Sequence, residues 1–330
     1  MNSTPLRAFW LDGRLVSAGD AHAAPLTHAL HYGTSVFEGI RAYPTARGVA
    51  VFRLDDHLRR FQNGAQHYGL KLDYTLDELH DACLETLRAS GLDDAYLRPL
   101  VYFGDETVAL SPRFRCSTHV MIAVLPFPPL AGDAPGFRTT ISPVQKFSSR
   151  ALPSTVKAGG HYTNSVLALQ DAIGRGFDEA ILLNDRGDVA EGSGENIFIV
   201  DGGTLRTNDA SADVLYGITR DSILQLAADE GLRIEVGPLT VDALLGADEA
   251  FFTGTAAEVI PILSVDAHRF PEARPVTDLL GSRYARAVRG GDPRFDHVWL
   301  TYLEPGEPER PAGPGRLDPM AEGASAQSGR

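Results

Sequence analysis

The chain has 330 residues, of which 43% are hydrophobic, and a formal net charge of −13. A chain of this length and composition can bury a sizeable core, and its length suggests two domains. The acidic balance argues against a nucleic-acid-binding surface, which would require a basic patch. No apolar run reaches membrane-spanning length, and the N-terminus lacks a basic segment followed by an apolar one, so neither a membrane segment nor a signal peptide is predicted.

The first part of the chain mixes hairpins with helices. Asp12-Gly13 between two short apolar runs predicts a hairpin. Composition and periodicity predict strands in the middle of 31–43 and over 49–53, 95–103 and 119–125, and helices over 54–68 and 76–90. Because strands and helices do not alternate regularly, we expect an α+β fold.

Residues 126–136 are dense in proline and glycine, which predicts a linker between a small domain, 1–125, and a large domain, 137–304. In the second part, strands are predicted over 137–141, 180–183, 189–191, 196–200, 204–207, 233–236, 250–253 and 259–263, and helices over 163–173, 219–230 and 277–289. Residues 305–330 contain few apolar side chains and are predicted to be disordered.

The two cysteines, Cys83 and Cys116, lie far apart in the sequence. So few cysteines in a chain of this length favour a reduced, cytoplasmic protein. Cys83 falls on an apolar stripe with helical spacing, which predicts a packing role. The histidines and cysteines show no regular ligand spacing, so no metal site is predicted. No Gly-x-Gly-x-x-Gly motif opens a helix after a strand, so a dinucleotide site is not supported.

Lysine is rare here, and one lysine has an unusual context. The three lysines are Lys71, Lys146 and Lys157. Lys71 lies in a polar turn and Lys146 in a predicted loop, whereas Lys157 precedes two glycines, which let a backbone or a flat ligand come close. A lysine attacks a carbonyl when desolvation or positive charge lowers its pKa. Lys157 is our candidate for a Schiff base with an aldehyde cofactor; on local context alone, a surface lysine fits as well.

Glycines also surround a carboxylate in Glu191-Gly-Ser-Gly-Glu-Asn196, between two predicted strands. A carboxylate so placed can hold a proton on a heterocyclic nitrogen, which makes a pyridine ring a better electron sink. Taken alone, the segment fits a plain glycine turn with exposed acids better.

Two turns offer free backbone amides to an anion. The first opens the helix predicted from Thr219, where the amides of Ile218 and Thr219 lack intrahelical partners and the helix dipole is positive. The second, Thr253–Glu258, follows an apolar strand. Arg60 could add a guanidinium to the same phosphate. Each feature alone also fits a simpler interpretation: an ordinary Thr219 N-cap, a small-residue turn, or a surface arginine.

In combination, six segments resemble the class IV aminotransferases, most closely the bacterial branched-chain amino acid enzymes. They are His31–Arg41, Ala95–Leu100, Lys157–Tyr162, Glu191–Asn196, Gly217–Arg220 and Gly254–Glu258. They occur in the family's order and are together far more specific than any one alone. The resemblance implies a two-domain fold of type IV with pyridoxal 5'-phosphate bound between the domains.

The resemblance also implies roles for single residues. Lys157 would carry the cofactor, Glu191 would pair with its pyridine nitrogen, and Tyr162 with its ring hydroxyl. The residues implied to hold the phosphate are Arg60, Ile218, Thr219 and Thr255. Those implied to bind the substrate are Tyr96, Thr255 and Ala256 at its carboxylate, Arg98 at the glutamate side chain, and Tyr32, Phe37 and Gly39 along the side-chain pocket.

The implied reaction moves the amino group of L-leucine, L-isoleucine or L-valine to 2-oxoglutarate in ping-pong order, so the partners are amino acids and 2-oxo acids. The freed Lys157 would move the substrate's α-proton. The family resemblance further implies a homodimer or a higher homo-oligomer in which a neighbour's loop, near 107–109, closes each site.

Other activities of the same fold remain open. They are a D-amino acid or amine transaminase and a lyase acting on aminodeoxychorismate; a scaffold without catalysis is the alternative from another class. Tyr96-Leu97-Arg98 and Val36–Gly39 favour the L-branched-chain activity. Leu130 stands in the linker where the family often has an aromatic residue, so the preferred side chain is not determined by the sequence.

Overall fold

Two β-sheets with helices packed on them organise the chain: the strand pairs of the first are antiparallel, and the second mixes parallel and antiparallel pairs. The computed structural model describes residues 9–111, 115–128, 130–132 and 134–303. The predicted tail over 305–330 and two positions of the predicted linker lie outside these residues. The two sheets and their helices confirm the α+β fold.

The first sheet is built mostly from the first part of the chain. Its strands are β1 (Phe9–Leu11), β2 (Arg14–Val16), β3 (Ser35–Phe37), β4 (Ile40–Thr45), β5 (Gly48–Phe52), β6 (Ala95–Phe103), β7 (Thr118–Pro126) and, from the far end of the described chain, β17 (Leu300–Tyr302). The order is β17-β5-β4-β6-β7-β1-β2, with β3 paired to β6. The predicted hairpin at Asp12-Gly13 joins β1 to β2.

The second sheet comes from the second part. Its strands are β8 (Phe137–Ile141), β9 (Glu179–Leu183), β10 (Val189–Glu191), β11 (Asn196–Asp201), β12 (Thr204–Thr207), β13 (Arg233–Val236), β14 (Glu249–Gly254), β15 (Glu258–Val265) and β16 (His268–Arg269). The order is β10-β9-β8-β15-β14-β11-β12-β13, with β16 paired to β15. Every strand predicted in this part is present.

The helices follow the predicted periodicity where they are long. They are α1 (His28–Tyr32), α2 (Leu54–His67), α3 (Leu76–Ser90), α4 (Tyr162–Gly174), α5 (Ile218–Asp229), α6 (Val241–Leu245), α7 (Pro275–Ala287) and α8 (Pro293–Trp299). In α3, Thr75 and Glu78 form a capping box and Gly91 ends the helix at φ 63°. Cys83 is fully buried on its apolar face, as predicted. The short helices α1, α6 and α8 escaped prediction because a few residues carry no periodicity.

Aromatic side chains join the two sheets. Phe52 of the first sheet lies against Tyr284 on α7, with ring centroids 5.5 Å apart, and Phe198 stacks on Phe251 in the second sheet at 5.2 Å. These residues belong to one buried apolar cluster. The shared core holds the sheets together beside the site described below. Among the described residues, no helix is both long and apolar enough to cross a bilayer.

Candidate active site

Most of the predicted site residues line one cleft between the two sheets. All seven residues predicted to hold the cofactor are in its wall: Arg60, Lys157, Tyr162, Glu191, Ile218, Thr219 and Thr255. They come from α2, the turn before α4, the start of α4, the end of β10, the start of α5 and the turn after β14. The fold thus brings together residues that are up to 195 positions apart in sequence, from Arg60 to Thr255.

The glycines after Lys157 let its loop lie directly on the first sheet. The carbonyl of Lys157 accepts a hydrogen bond from the Phe37 amide at 3.0 Å. A Cβ placed on Gly159 would lie 2.3 Å from the Ser35 Oγ, which is closer than real atoms approach. Glycine at this position leaves room for the Ser35 hydroxyl, and the contact holds the backbone from which the lysine side chain enters the cleft.

The Lys157 amine is held by Tyr162, the first residue of α4. Its Nζ donates to the Tyr162 hydroxyl at 2.7 Å and lies 5.1 Å from the centre of the Phe37 ring. Burial lowers the Lys157 pKa, but the charges of Tyr162 and Glu38 outweigh that effect and leave the pKa above its usual value. The lowered pKa expected of a Schiff-base lysine is therefore absent in this arrangement, so the amine must lose a proton before it attacks a carbonyl.

Glu191 lies in the cleft wall with both carboxylate oxygens engaged. Lys146 Nζ donates to its Oε1 at 2.5 Å, and the Leu215 amide donates to its Oε2 at 3.2 Å. The backbone of Lys146 lies in a loop, as predicted, but its side chain is only 7% exposed. This ion pair escaped prediction, because nothing in the local sequence separates Lys146 from a surface lysine.

The start of α5 supplies backbone amides to the other end of the cleft. Gly217 occupies the N-cap position without a side-chain cap, so Thr219 is not the ordinary N-cap considered above. The Gly217 amide donates to Asn196 Oδ1 at 3.0 Å, and Asn196 Nδ2 donates to the Leu215 carbonyl at 2.8 Å. The first helical amides, at Ile218 and Thr219, remain available to an anion.

Arg60 is fixed by a carboxylate that the sequence did not single out. Its Nε and Nη2 donate to Glu38 at 2.6 and 2.9 Å, and its Nη1 donates to the Tyr216 carbonyl at 2.9 Å. Glu38 is fully buried and also accepts a hydrogen bond from His57 at 2.7 Å. Burial alone would raise the Glu38 pKa, but the charges of Arg60 and His57 bring it well below its usual value. Glu38 therefore stays ionised and aims Arg60 at the cleft.

Arg53, the residue directly before α2, also links the first part of the chain to the start of α5. Its Nη1 donates to the Ile218 carbonyl at 3.2 Å, to Ser222 Oγ at 3.0 Å and to Asp221 at 2.5 Å. Arg53 itself has a left-handed backbone, with φ 49°. The start of α5 is thus held by a guanidinium from the first sheet's side of the cleft.

The predicted substrate residues of the first sheet form a connected group. Arg98 Nη2 donates to the Tyr96 hydroxyl at 3.0 Å and its guanidinium lies 4.6 Å from the centre of the Phe37 ring. A Cβ on Gly39 would lie 1.9 Å from the Tyr96 oxygen, so only glycine leaves room for that tyrosine. Ala256 lies in the turn after Thr255. The linker does carry an aromatic residue: Phe127 stacks on Tyr96 at 4.9 Å, three positions before Leu130.

The structure does not bring Tyr32 to the cleft of its own chain. Its hydroxyl donates to the Val108 carbonyl at 2.8 Å, and it lies on the surface, 44% exposed. It therefore sits on the 107–109 loop that the family resemblance assigns to a neighbour's site. A role for Tyr32 in a side-chain pocket stays a prediction.

A second carboxylic acid, Glu195, lies in the same cleft wall. Burial and then the charges of Glu179 and Glu191 raise its pKa to about 8, against the opposing effect of its hydrogen bond from the Gly194 amide at 2.9 Å. In the folded chain Glu195 thus keeps a proton well above the pH at which an unfolded glutamate loses it.

We therefore expect Glu195→Gln to change how stability depends on pH. Between pH 4.5 and about 8 the folded wild type holds a proton that the unfolded chain has released, so its stability falls as pH rises through this range. Glutamine cannot titrate, and the variant should gain about 1 kcal/mol or more over wild type from pH 5 to pH 8. Urea unfolding of both apoproteins measures this; parallel pH profiles would contradict it.

Comparison with known proteins agrees with this geometry. A family model described as Amino-transferase class IV matches residues 35–265. The chain therefore belongs to the class IV aminotransferases. Its relatives include a branched-chain-amino-acid aminotransferase of Pseudomonas aeruginosa, 42% identical over 286 residues that span 85% of this chain and 92% of the relative. The enzyme of the same description from Escherichia coli K12 is 39% identical over 81% of this chain and 88% of its own.

Solved structures lead to the same particular group of enzymes. The branched-chain amino acid aminotransferase of T.th. in complex with N-(5'-phosphopyridoxyl)-L-glutamate is 40% identical, with a TM-score of 0.86 over 90% of this chain and 99% of that one. The structure of the same enzyme with pyridoxamine 5'-phosphate gives a TM-score of 0.87 at the same coverage.

The cleft fits a phosphorylated pyridine aldehyde in each of its parts. It has an amine at Lys157, a carboxylate at Glu191, and free amides with a guanidinium at the start of α5. Thr253 lies in the same wall, and its hydroxyl is buried with no hydrogen-bond partner among the described residues. Within the described ranges, no cluster of three or more histidine, cysteine, aspartate or glutamate residues is arranged to hold a metal ion.

Proposed function

We propose that this chain is a pyridoxal-phosphate-dependent aminotransferase that moves the amino group of L-leucine, L-isoleucine or L-valine to 2-oxoglutarate. The observation that carries the proposal is the placement of the Lys157 amine, in the same cleft wall as Glu191 and the start of α5. The relatives' printed names give the substrate class. The T.th. enzyme has been solved with 4-methylvaleric acid and with a glutamate derivative, so one aliphatic and one acidic ligand are recorded for it.

When bound, pyridoxal phosphate supplies an aldehyde that condenses with amines and a ring that delocalises the electron pair left at the substrate's α-carbon. Lys157 would hold the aldehyde carbon and, as a free amine, would move the proton between the substrate's α-carbon and that carbon. Tyr162 orients the lysine, because its hydroxyl is the acceptor for Nζ. Glu191 holds a proton at the ring nitrogen.

The phosphate is assigned to the opposite end of the cleft. Arg60 meets it with a guanidinium whose direction is set by Glu38, and the amides of Ile218 and Thr219 face it with the positive end of the α5 dipole. Thr255 and the unpartnered Thr253 hydroxyl complete this end. Binding the phosphate at several donors fixes the reacting carbon near Lys157.

The substrate is assigned to the Tyr96–Arg98 group. Tyr96 and the amides of Thr255 and Ala256 bind the α-carboxylate, and Phe37 packs against an aliphatic side chain. Arg98 lies where it can pair with the distal carboxylate of glutamate, which lets one pocket serve both half-reactions. Phe127 shapes the same pocket through its stacking on Tyr96.

A substrate panel tests this function. We expect L-leucine, L-isoleucine and L-valine with 2-oxoglutarate to give kcat/KM at least about 100-fold above D-alanine and a chiral primary amine, since a misplaced carboxylate forfeits a charged hydrogen bond. The measurement is glutamate formation by the purified holoenzyme. A preference for D-alanine or for the amine would overturn the substrate class while leaving the cofactor assignment intact.

We propose that two copies of the chain associate around the 107–109 loop. The surface near Tyr32 and Val108 exposes large apolar side chains, with Leu30 67% and Leu110 83% exposed, and clustered exposure of this kind marks an interaction surface. Light scattering should give twice the mass of one chain. Leu110→Asp should shift this mass towards the monomer and lower turnover; a wild type that is monomeric and fully active would contradict the proposal.

We also propose a reducing, cytoplasmic location. The support is chemical: Cys83 and Cys116 are both free thiols, and neither lies in a disulfide. Thiol titration of freshly purified protein should find two free thiols per unfolded chain; a disulfide formed in the cell would contradict this location.

A further inference from the structure

Lys146 is a buried cation to which the reaction above assigns no task. It lies in the loop after β8, where its amide donates to the Leu183 carbonyl at 2.8 Å, so its backbone is tied to the end of β9. Its Nζ lies 2.5 Å from Glu191 Oε1 and 4.2 Å from the centre of the Phe147 ring. A strongly hydrated ammonium loses its water shell in such a place, and the Glu191 carboxylate is what compensates for it.

The ion pair belongs to a longer chain of hydrogen bonds. The second oxygen of Glu191 accepts from the Leu215 amide at 3.2 Å, and the Leu215 carbonyl accepts from Asn196 at 2.8 Å. Asn196 in turn accepts from the Gly217 amide, directly before α5. The Glu191 carboxylate, assigned to the ring nitrogen, is thus connected through one oxygen to the loop assigned to the phosphate. Lys146 binds the other oxygen of the same carboxylate.

We infer that Lys146 is a positioning residue, which holds the Glu191 carboxylate in its anionic form and at a fixed angle so that it can hold a proton on the cofactor's ring nitrogen. The inference rests on the proposed function. Its physical basis is that a buried carboxylate without a counter-ion takes up a proton itself. A protonated glutamic acid can no longer stabilise a proton on a ring nitrogen.

The other charges around Glu191 make a cation there more important. Glu179 and Glu195 are its acidic neighbours. The charges of Glu179 and Glu191 contribute to the raised pKa of Glu195, which therefore keeps its proton near pH 7, and neither glutamate supplies a positive charge. On the opposite side, burial and then the charge of Lys146 lower the pKa of His161 to about 4, so His161 is neutral near pH 7. His161 therefore does not supply a positive charge in place of Lys146.

Two variants and a matched control test the inference. Lys146→Met keeps the length of the side chain but removes its charge, Lys146→Arg restores a charge, and Lys71→Met removes an exposed lysine whose partner is Asp73. The dissociation constant of pyridoxal phosphate is measured on each apoprotein by absorbance titration, together with the pH titration of the visible band of the bound form. Thermal unfolding of each apoprotein reports whether it is folded.

We expect Lys146→Met to weaken cofactor binding by at least about tenfold, the factor that corresponds to one pKa unit of charge interaction, and to shift the pH titration of the visible band. Lys146→Arg should recover most of the affinity, and Lys71→Met should match wild type. Equal affinity and an equal titration in Lys146→Met would overturn the inference. If wild type itself failed to bind pyridoxal phosphate, the proposed function would fall instead.

A double-mutant cycle separates positioning from a purely structural role, including the case in which Lys146→Met alone does not fold. If Lys146 acts through Glu191, adding Lys146→Met to Glu191→Gln should change the dissociation constant by less than about twofold, because the carboxylate that it positions is already gone. A full additional tenfold loss in the double variant would mean that Lys146 acts on binding by another route, and the inference would be wrong.

Discussion

Lys157→Ala should lower turnover of L-leucine by at least about 10⁴-fold, the upper range for removal of a general base, since the same amine is asked to anchor the cofactor and to move a proton. The variant should still bind pyridoxal phosphate non-covalently, because Arg60 and the start of α5 are unchanged. The measurement is glutamate formation under saturating cofactor, with absorbance spectra recorded in parallel.

The matched control is Lys71→Ala, since Lys71 is largely exposed and lies far from the cleft wall in its own polar turn. It should retain wild-type turnover. Lys157→Arg tests the chemistry more narrowly, because arginine keeps the positive charge but does not give up its proton. Turnover in either Lys157 variant within tenfold of wild type would mean that another group moves the α-proton.

Glu38→Gln should have the largest effect on stability. It removes a fully buried negative charge and leaves Arg60 without its counter-ion, and breaking a buried ion pair in this way costs about 3–5 kcal/mol. Cofactor affinity should fall with it, because Arg60 loses the two hydrogen bonds that aim it at the phosphate end of the cleft. Urea unfolding of the apoprotein and titration with pyridoxal phosphate measure the two effects.

The loss of folding stability in Glu38→Gln should also depend on pH in a defined direction. The pKa of Glu38 is lowered in the folded chain, so the stabilisation it provides is complete above its unfolded value, near 4.5, and is lost as pH falls towards the folded value. The difference between wild type and Glu38→Gln should therefore be full at pH 7 and shrink below pH 4.5. Glu85→Gln, on the exposed face of α3, should be neutral at both pH values; a Glu38 variant as stable as this control would refute the ion-pair account.

Short sequence patterns predicted those features of the structure that depend on neighbouring residues. The helices α2 and α3 follow from their apolar spacing, and the two glycines after Lys157 indicated the close approach that the structure shows between this loop and Ser35. The resemblance to a known family supplied the rest of the cofactor set, and all seven members line one cleft. The division into domains at 126–136 stays a prediction; β17, near the end of the described chain, pairs with β5 in the first sheet.

The residues that were missed depend on contacts over long sequence distances. Glu38 and Arg60 are 22 positions apart, and Lys146 and Glu191 are 45 positions apart, so neither pair forms a pattern that a short window reveals. A clue was available for Glu38, since an acid directly after Val36-Phe37 and between two strands must find a partner once it is buried. Phe127 was overlooked because the prolines around it marked only a linker.

The central claim is that one amine, Lys157, binds the cofactor covalently. Borohydride reduction of the holoenzyme, followed by peptide mapping by mass spectrometry, tests it directly, and the three lysines of the chain make the map unambiguous. We predict a phosphopyridoxyl group on the peptide that contains Lys157 and on neither of the other two. The group on Lys146 or Lys71, or no labelled lysine in a holoenzyme that turns over, would contradict this claim.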